Sequence, residues 1–384
     1  MTRLAVGIGV PTRPPLALTR WMVRWARLWR LDSVWTIDHF LGFVPAALWD
    51  DDFSFLARRV QSPDAIFEYQ TLLGYLARRV GRMQLAVGVT EPVRRHPVLL
   101  AQAFLTLSHM TKAPPILGIG PGERENTEPY GLDFSRPVGL LEEALQVIRL
   151  CFTSQGPFDY SGSFFRLEQA VMDLRPAAGR TPQIWLAAHG PRMLRLTGRH
   201  GDGWYPTHYM TPVEYADKLA VIRRAAAEAG RDPDAITPGL SLPMLLAPTE
   251  KEARSLLDTR PVRFGALLIP ASVWSAEGFE HPLGEGFRGL VDFVPQRYGR
   301  SALDRAIEAV PRELLERRVA WGTPEGLLAY LRQLQEAGLR HVVLGAVSGI
   351  LSRRLLGYGL LATARMAARL RPRGEGQSHR ENSA

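Results

Sequence analysis

The chain has 384 residues, 46% hydrophobic and 22% charged, and these ordinary values exclude disordered, collagen-like and coiled-coil proteins. Its single cysteine, Cys151, excludes an internal disulfide and a thiolate metal cluster. The net charge of +9 is almost all arginine and is dispersed along the chain, so we expect no nucleic-acid partner.

The sequence contains no segment that indicates passage into or across a membrane. Its apolar runs fall short of the roughly 18 residues that a membrane-spanning helix needs. The first residues reach glycine and proline too early for a secretory signal peptide. We therefore expect a soluble, cytoplasmic protein.

Short apolar runs alternate with helical stretches along the chain. The runs predict buried strands at residues 4–9, 33–37, 84–90, 115–120, 183–188, 203–205, 240–247 and 341–346. The stretches between them predict helices at 16–29, 66–80, 97–110, 137–152, 212–229 and 324–337, and one that begins at Pro191. Continuous apolar strands that alternate with helices indicate a parallel sheet covered on both faces. Eight such units predict an α/β fold, the (β/α)8 TIM barrel.

Two stretches interrupt this alternation, at residues 43–65 and 260–300. The first carries aromatic, acidic and proline residues, and the second is long and rich in glycine and proline. Loops that follow the strands of a barrel lie at its C-terminal face, where active sites are built, so the insertions are either variable decoration or a substrate lid. We expect one barrel domain over 1–370 and a disordered tail over 371–384.

The dipeptide Asp38-His39 directly follows the second predicted strand, so both side chains are expected at the mouth of the barrel. A histidine titrates near neutral pH and can give or take a proton, and an adjacent carboxylate can fix its tautomer. The pair therefore makes His39 a candidate catalytic residue. A capping aspartate beside a packed histidine is the alternative interpretation.

The stretch LGIGPGEREN at residues 117–126 follows the fourth predicted strand. It lacks both the glycine spacing of a dinucleotide-binding loop and the lysine of a P-loop. Its glycines, Gly120 among them, instead leave space for a flat ring against the backbone, with Glu123 and Asn126 at the mouth. A tight barrel corner with a helix-capping glutamate is the alternative.

A glycine within the third predicted strand marks either a bulge that approaches a ligand closely or a barrel corner. The candidate cofactor-binding residues of this segment are Val87, Gly88, Val89 and Thr90.

A second candidate cofactor-binding segment opens the helix after the fifth predicted strand, and consists of His189, Gly190, Pro191 and Arg192. Free backbone N–H groups at a helix start attract a phosphate, and Arg192 adds positive charge. An ordinary helix start with proline in the first turn is the alternative.

Other common catalytic patterns do not occur in the sequence. There is no His-x-x-x-His pair or carboxylate cluster with metal-ligand spacing, so we predict no metal site. There is no Gly-x-Ser-x-Gly motif, which argues against an esterase.

Four motifs in sequence order resemble the luciferase-like (β/α)8 family, in the branch that uses the deazaflavin coenzyme F420. They are TIDHF at 36–40, VGVTEPVRRHPVLLAQAFLTL at 87–107, ILGIGPGERENTEPYG at 116–131 and IWLAAHGPRMLRLTGRHGDGWYP at 184–206. The resemblance extends to about residue 350. Within this branch, the stretches GERENTEPYG, AAHGPRMLRLTGR and FEHPLGEGFRGLVDFVPQ are similar to the ketoreductases that act on phthiodiolone and phenolphthiodiolone dimycocerosates.

The resemblance implies roles for the residues nearest the reaction. Asp38 would contact the deazaflavin ring, and His39 would lie beside the reactive centre. Glu123 corresponds to an acid near the substrate, and Asn126 lines the same pocket.

The resemblance also implies which residues hold the cofactor. The segment 87–90 would support the back face of the ring through a bulge that contains a non-prolyl cis peptide bond. Gly190, Pro191 and Arg192 would face the cofactor phosphate.

The sequence departs from the sugar-phosphate enzymes of this branch. Phe43 stands nearest the position where they have a tryptophan, and no lysine lies near residues 207–211, where they bind sugar phosphate. The apolar, aromatic stretch at 43–67 favours a bulky apolar or lipid-like substrate instead.

Together these inferences predict an oxidoreductase in which reduced F420 gives a hydride to a substrate carbonyl and His39, or else Glu123, protonates the alkoxide. The alternatives are an FMN-dependent monooxygenase on the same barrel and a barrel that binds a cofactor or lipid without turnover. Members of the family are commonly dimers, so we expect a homodimer that acts on a small-molecule or lipid-like substrate.

The helix at 16–29 also suggests a membrane contact, because its tryptophans recur every four residues with arginines nearby: Trp21, Trp25 and Trp29 beside Arg20, Arg24 and Arg27. Cationic amphipathic helices with tryptophan can lie at a membrane interface. We predict weak, salt-sensitive binding to anionic vesicles. Packing of the tryptophans on the barrel is the alternative.

Overall fold

The computed structural model describes residues 3–60 and 62–371. Its strands are β1 (Ala5–Gly9), β2 (Ser33–Thr36), β3 (Gln84–Thr90), β4 (Ile116–Ile119), β5 (Phe158–Ser161), β6 (Arg166–Ala170), β7 (Gln183–Leu186), β8 (Gly203–Trp204), β9 (Thr237–Leu246), β10 (Ala320–Gly322) and β11 (His341–Ala346). Its helices are α1 (Leu16–Leu28), α2 (Tyr69–Leu76), α3 (Pro97–Met110), α4 (Pro137–Thr153), α5 (Pro191–His200), α6 (Pro212–Glu228), α7 (Glu250–Leu256), α8 (Arg260–Leu267), α9 (Ala271–Ala276), α10 (Arg300–Glu308), α11 (Arg312–Arg318), α12 (Pro324–Glu336) and α13 (Arg353–Arg369).

Eight of the described strands close into a parallel barrel, in the order β1, β2, β3, β4, β7, β8, β9 and β11, with β11 paired back to β1. These are the strands that the apolar runs predict, so the (β/α)8 fold is confirmed. Strands β2 and β4 are buried along their whole length, which explains why continuous apolar runs rather than alternation identified them.

Some elements are missing from the sequence prediction because they are short or polar. Strands β5 and β6 form an antiparallel hairpin of largely exposed residues, and β10 adds only three residues beside the end of β9. The predicted helix at 66–80 is shorter as α2, which begins after Glu68, whose carboxylate caps it. The insertion at 260–300 was expected to be irregular but contains α8 and α9. Pro261 lies in the first turn of α8, and Pro270 is the N-cap of α9.

Aromatic side chains fill the interior of the barrel. Trp35 stacks on Tyr205 with ring centroids 4.3 Å apart, and Trp185 lies 5.6 Å from Trp35. A Cβ on Gly88 would lie 2.8 Å from the ring of Trp35, so only glycine fits this point of β3. The interior is therefore a packed core, and ligands can reach only its ends.

The two insertions pack on each other through a second apolar core, which we call the outer cluster; it contains Leu48, Phe53, Leu245, Leu257, Phe264, Leu267, Trp274, Phe293 and Leu303, among others. Sequence analysis assigned the apolar residues of the first insertion to a substrate. The structure corrects this for Leu48 and Phe53, which are buried within the outer cluster. Their apolar character is thus explained by packing between insertions.

Ion pairs tie the long insertion to the loops that follow β2 and β4. These pairs are Asp50–Arg300 at 2.7 Å, Arg124–Asp292 at 2.9 Å and Glu128–Arg297 at 2.8 Å. The insertions therefore lie at the C-terminal face of the barrel and brace the two loops that carry His39 and Glu123. A lid function for them stays a prediction.

Helix α1 divides its tryptophans between the core and the surface. Its buried residues are Thr19, Val23 and Ala26, and Trp25 and Trp29 pack partly on the core, while 47% of Trp21 is exposed. Packing thus accounts for part of the tryptophan face, and vesicle binding stays a prediction.

None of the described helices is both long and apolar enough to cross a bilayer. The tail predicted over 371–384 lies outside the described residues, apart from Arg371.

Candidate active site

Two loops surround one imidazole ring with carboxyl groups at the mouth of the barrel. His39 follows β2, and Glu123 and Glu125 follow β4. Nδ1 of His39 is 2.8 Å from Oε1 of Glu125, and Nε2 is 3.6 Å from Oε2 of Glu123. The side chain of Glu125 is completely buried, whereas 23% of that of Glu123 is exposed. His39 therefore lies between an inner carboxyl group, Glu125, and an outer one, Glu123.

Asn126 orients this cluster through its amide. Its Oδ1 accepts a hydrogen bond of 2.8 Å from the backbone N–H of Phe40, which leaves Nδ2 as a donor. Nδ2 is 3.0 Å from Nδ1 of His39 and 3.4 Å from a carboxylate oxygen of Glu123 and of Glu125. The amide therefore links all three groups, and the predicted role of Asn126 in a cofactor or substrate pocket stays a prediction.

Both carboxyl groups titrate far above the ordinary range for glutamate. Burial raises the pKa of Glu123 to about 7, with the charge of Glu125 adding to the effect and His39 opposing it. Burial raises the pKa of Glu125 to about 8, with the charge of Asp64 adding to it and the hydrogen bond from Asn126 and the charge of Arg94 opposing it. Acids that exchange protons near neutral pH are typical of acid–base catalysis.

Asp38 anchors two arginines beside the cluster. Its Oδ2 accepts a hydrogen bond of 2.6 Å from the hydroxyl of Thr90 and lies 2.8 Å from Arg95 and 2.9 Å from Arg94. Arg94 also donates to the backbone oxygen of Asp38 and pairs with Glu91. The carboxylate of Asp38 is thus engaged within the protein, and its predicted contact with a cofactor ring stays a prediction.

The end of β3 carries the predicted irregularity. The Gly88–Val89 peptide bond is cis, and the pairing of β3 with β4 shifts between Val87 and Thr90. Gly120 donates its N–H to the backbone oxygen of Thr90, and a Cβ on it would lie 3.3 Å from the side chain of Val89. Gly120 therefore allows close packing of the bulge, and the contacts of these residues with a cofactor stay predictions.

The start of α5 forms a separate group of predicted residues. Gly190 is the N-cap, Pro191 is the first helical residue, and no described side chain caps this end. Arg192 is exposed, with Nη2 3.3 Å from Oε2 of Glu142 on α4. A phosphate at this helix start would therefore share Arg192 with a carboxylate.

His189 belongs to a small polar group beside the same helix start. Its Nε2 is 3.3 Å from the hydroxyl of Thr207, its ring lies 4.5 Å from that of His208, and Lys218 donates to its backbone oxygen at 2.9 Å. Burial lowers the pKa of both histidines, that of His208 to about 4, so Lys218 supplies the positive charge. No lysine lies near residues 207–211 in the sequence. The structure corrects this inference, because α6 brings Lys218 next to His189 and His208.

The structure thus brings His39, Glu123 and Asn126 into one polar cluster, with the hydrogen-bonded pair Asp38–Thr90 next to it along the chain from His39, and leaves His189 and the start of α5 as a separate group. Sequence reasoning missed the inner carboxyl Glu125, the arginines Arg94 and Arg95, and Lys218. A signal existed for three of them, because Glu125 and the arginine pair lie inside motifs that are quoted above.

The cluster also bears on the predicted lack of a metal site. His39, Glu123 and Glu125 bring one nitrogen and two oxygen atoms within 4.8 Å of one another. Spacing along the chain did not reveal this group, because 86 residues separate His39 from Glu125. The lack of a metal stays a prediction.

A histidine between two carboxyl groups of raised pKa, at the C-terminal face of a (β/α)8 barrel, is an arrangement typical of acid–base sites in enzymes. Residues 28–341 match the luciferase-like monooxygenase family. Over 365 residues the chain is 37% identical to the phthiodiolone/phenolphthiodiolone dimycocerosates ketoreductase of Mycobacterium sp. (strain JLS), covering 94% of this chain and 95% of that protein. The chain therefore belongs to the luciferase-like family and is an oxidoreductase, which confirms the predicted family and enzyme class.

Solved structures share the fold. An F420-dependent secondary alcohol dehydrogenase, in complex with an F420-acetone adduct, has a TM-score of 0.74 at 19% identity, covering 96% of this chain and 100% of that one. The coenzyme F420-dependent tetrahydromethanopterin reductase of Methanopyrus kandleri has a TM-score of 0.69 at 21% identity, covering 94% and 98%. At these identities the likeness concerns the fold alone.

Proposed function

We propose that the chain is a coenzyme F420-dependent ketoreductase that exchanges a hydride with the carbonyl carbon of a bulky apolar ketone. The observation that carries the proposal is the His39–Glu123–Glu125 cluster, which offers a proton donor at the barrel mouth. The name of the mycobacterial relative supports ketone reduction, and the F420-dependent enzymes that share the fold support this cofactor.

The residues at the start of α5 fit a cofactor that carries a phosphate. Gly190 has no described atom within 4 Å of a Cβ built on it, so the helix end is open to a ligand. Its uncapped N–H groups and the nearby Lys218 both favour an anion. The bulge at Gly88–Val89 would then support the ring, as the family resemblance implies.

The protein itself has to deliver a proton. Bound reduced F420 would supply the hydride. Nε2 of His39 faces the partly exposed Glu123, so this nitrogen is the one that a substrate can approach. His39 donates its proton to the alkoxide oxygen as the carbonyl is reduced, and Glu123 is the second candidate donor. With an alcohol as substrate, His39 takes the proton instead.

An exposed aromatic pair beside the cluster supports an apolar substrate. The rings of Phe40 and Tyr130 lie 4.4 Å apart, and 44% and 45% of these residues are exposed. Replacing either with alanine is expected to raise KM for a long-chain ketone by about tenfold, the loss of one buried apolar contact, and to leave KM for acetone nearly unchanged. Val213→Ala, at an exposed apolar residue on α6, is the matched control.

Cofactor titration tests the proposal. Fluorescence quenching with F420 and with FMN measures which cofactor binds, and anaerobic oxidation of reduced F420 by ketones measures turnover. We expect F420 to bind and reduced F420 to be consumed only with a ketone. Tight FMN binding with oxygen consumption would favour a monooxygenase, the second candidate, which the description of the matching family supports. Binding without turnover of any ketone or alcohol would indicate a binding protein.

A further inference from the structure

Glu125 belongs to the cluster at the barrel mouth, but the proton transfer of the proposed function uses only His39 and Glu123. It lies on a short 3₁₀ turn, Arg124–Asn126, with its side chain completely buried. Oε1 is 2.8 Å from Nδ1 of His39, and no hydrogen-bond partner among the described residues reaches Oε2. A carboxylate with one unpartnered buried oxygen is costly, so this position favours the neutral acid.

The surroundings of Glu125 determine where its proton lies. The charged and titratable groups that face it are His39 from the loop after β2, Asp64 from the first insertion, Arg94 after β3, and Glu123 and Tyr130 from its own loop. Burial and the charge of Asp64 raise its pKa to about 8, which favours the neutral acid at neutral pH. Its hydroxyl then donates to Nδ1 of His39, which leaves the ring proton on Nε2, the nitrogen that faces Glu123.

We propose that Glu125 is a positioning residue that holds a second proton behind His39 and passes it to Nδ1 while Nε2 gives its own proton to the substrate oxygen. The O–H bond of Glu125 and the Nε2–H bond break, and the Nδ1–H bond and the alcohol O–H bond form. This leaves Glu125 as a carboxylate and the ring proton on Nδ1, so solvent then protonates Nε2, beside the partly exposed Glu123, and the Nδ1 proton returns to Glu125 before the next turnover. This inference takes its substrate from the proposed function. The protonation of Glu125 does not depend on that function.

The first test needs neither cofactor nor substrate. A carboxyl group whose pKa is raised in the folded state stabilises the fold less as pH rises from its unfolded pKa of 4.5 to its folded pKa of about 8. Chemical unfolding is therefore expected to show that the free energy of unfolding of the wild type falls across this pH range. The free energy of unfolding of Glu125→Gln is expected to fall less. Glu168→Gln, which removes an exposed carboxylate, is the control. Equal slopes for wild type and Glu125→Gln would overturn the assignment.

The second test counts the protons that move in the step that limits kcat. In mixtures of H2O and D2O, the wild-type kcat is expected to give a curved proton inventory, because two protons move. Glu125→Gln is expected to give a straight line, with kcat lowered about tenfold or more and F420 affinity unchanged. Glu125→Asp, which keeps the acid, should retain the curvature.

A straight line for the wild type, or an unchanged kcat in Glu125→Gln, would overturn the relay. If the wild type turns over no ketone or alcohol, the proposed function fails instead, and the unfolding experiment still decides whether Glu125 holds its proton.

Discussion

Two histidines at opposite ends of the barrel, one partly and one fully buried, have opposite properties. His39, at the mouth, contacts two carboxyl groups, whereas His341, at the start of β11, has Nε2 2.7 Å from the hydroxyl of Ser33 and lies against the rings of Trp35 and Trp185. Burial lowers the pKa of His341 to about 4, so its imidazole is neutral. Burial alone therefore makes a histidine a packing residue, and neighbouring acids are what make proton transfer available.

The two ends also respond oppositely to pH. At the mouth, the raised pKa values of Glu123 and Glu125 mean that stability is lost as pH rises from 4.5 towards 7 and 8. At the opposite end of the barrel, around His341, which we call the floor, the lowered pKa of His341 means that the unfolded chain takes up a proton first. Stability is therefore lost as pH falls from 6.5 to about 4. The four predictions below test this contrast between mouth and surroundings.

The largest effect is expected at the mouth. Replacing His39 with alanine should lower kcat by about 10²–10⁴, the usual contribution of an acid–base group, while F420 affinity stays nearly the same. Single-turnover kinetics and cofactor titration measure the two quantities. An unchanged rate of hydride transfer would assign the proton to Glu123.

A smaller effect is expected at the floor. His341→Leu should leave kcat per folded molecule unchanged but lower the free energy of unfolding by about 1–3 kcal/mol, because Ser33 loses a buried partner. The variant should also lose less stability than the wild type between pH 6.5 and 4. Urea unfolding at several pH values measures both, with His109→Leu, at an exposed histidine, as control. Lost activity in a folded His341→Leu protein would contradict the division between the two ends.

The start of α5 should affect binding rather than chemistry. Gly190→Val is expected to weaken F420 binding about tenfold, the equivalent of one lost hydrogen bond, and to change kcat little. The fold should tolerate it, because no described atom lies within 4 Å of the added Cβ. The control is Gly286→Val, the same change at an equally open position of the long insertion, which should leave F420 binding unchanged. An unchanged dissociation constant would mean that the phosphate lies elsewhere.

The smallest effect is expected on the outer surface. At low salt, a minor fraction of the protein should float with anionic vesicles, and replacing Arg20, Arg24 and Arg27 with glutamate should abolish this, because exposed charges are screened over about 8 Å at physiological salt. Size-exclusion chromatography of both proteins tests the predicted homodimer at the same time. Wild-type protein that stays with the soluble fraction even at low salt would make α1 a barrel helix only.

Much of the candidate site could be predicted because it follows directly from strands. Asp38 and His39 come right after β2, and the carboxyl ends of parallel strands meet at one face, so their position follows from the apolar run alone. Glu125 and Lys218 were missed because their contacts join loops and helices that are far apart along the chain. The apolar residues Leu48 and Phe53 were misassigned, since composition does not distinguish a core residue from a substrate contact.

By itself, the sequence determined the alternation of strands and helices and the barrel, because burial on both faces of a parallel strand demands an apolar run that is visible locally. The family came from the resemblance of four motifs in sequence order. Only the tertiary structure decided which buried acid lies behind His39, which histidine is inert, and which apolar insertion residues form the outer cluster. These depend on desolvation and on distances of about 3 Å between residues distant in sequence, and such quantities exist only once the loops are brought together.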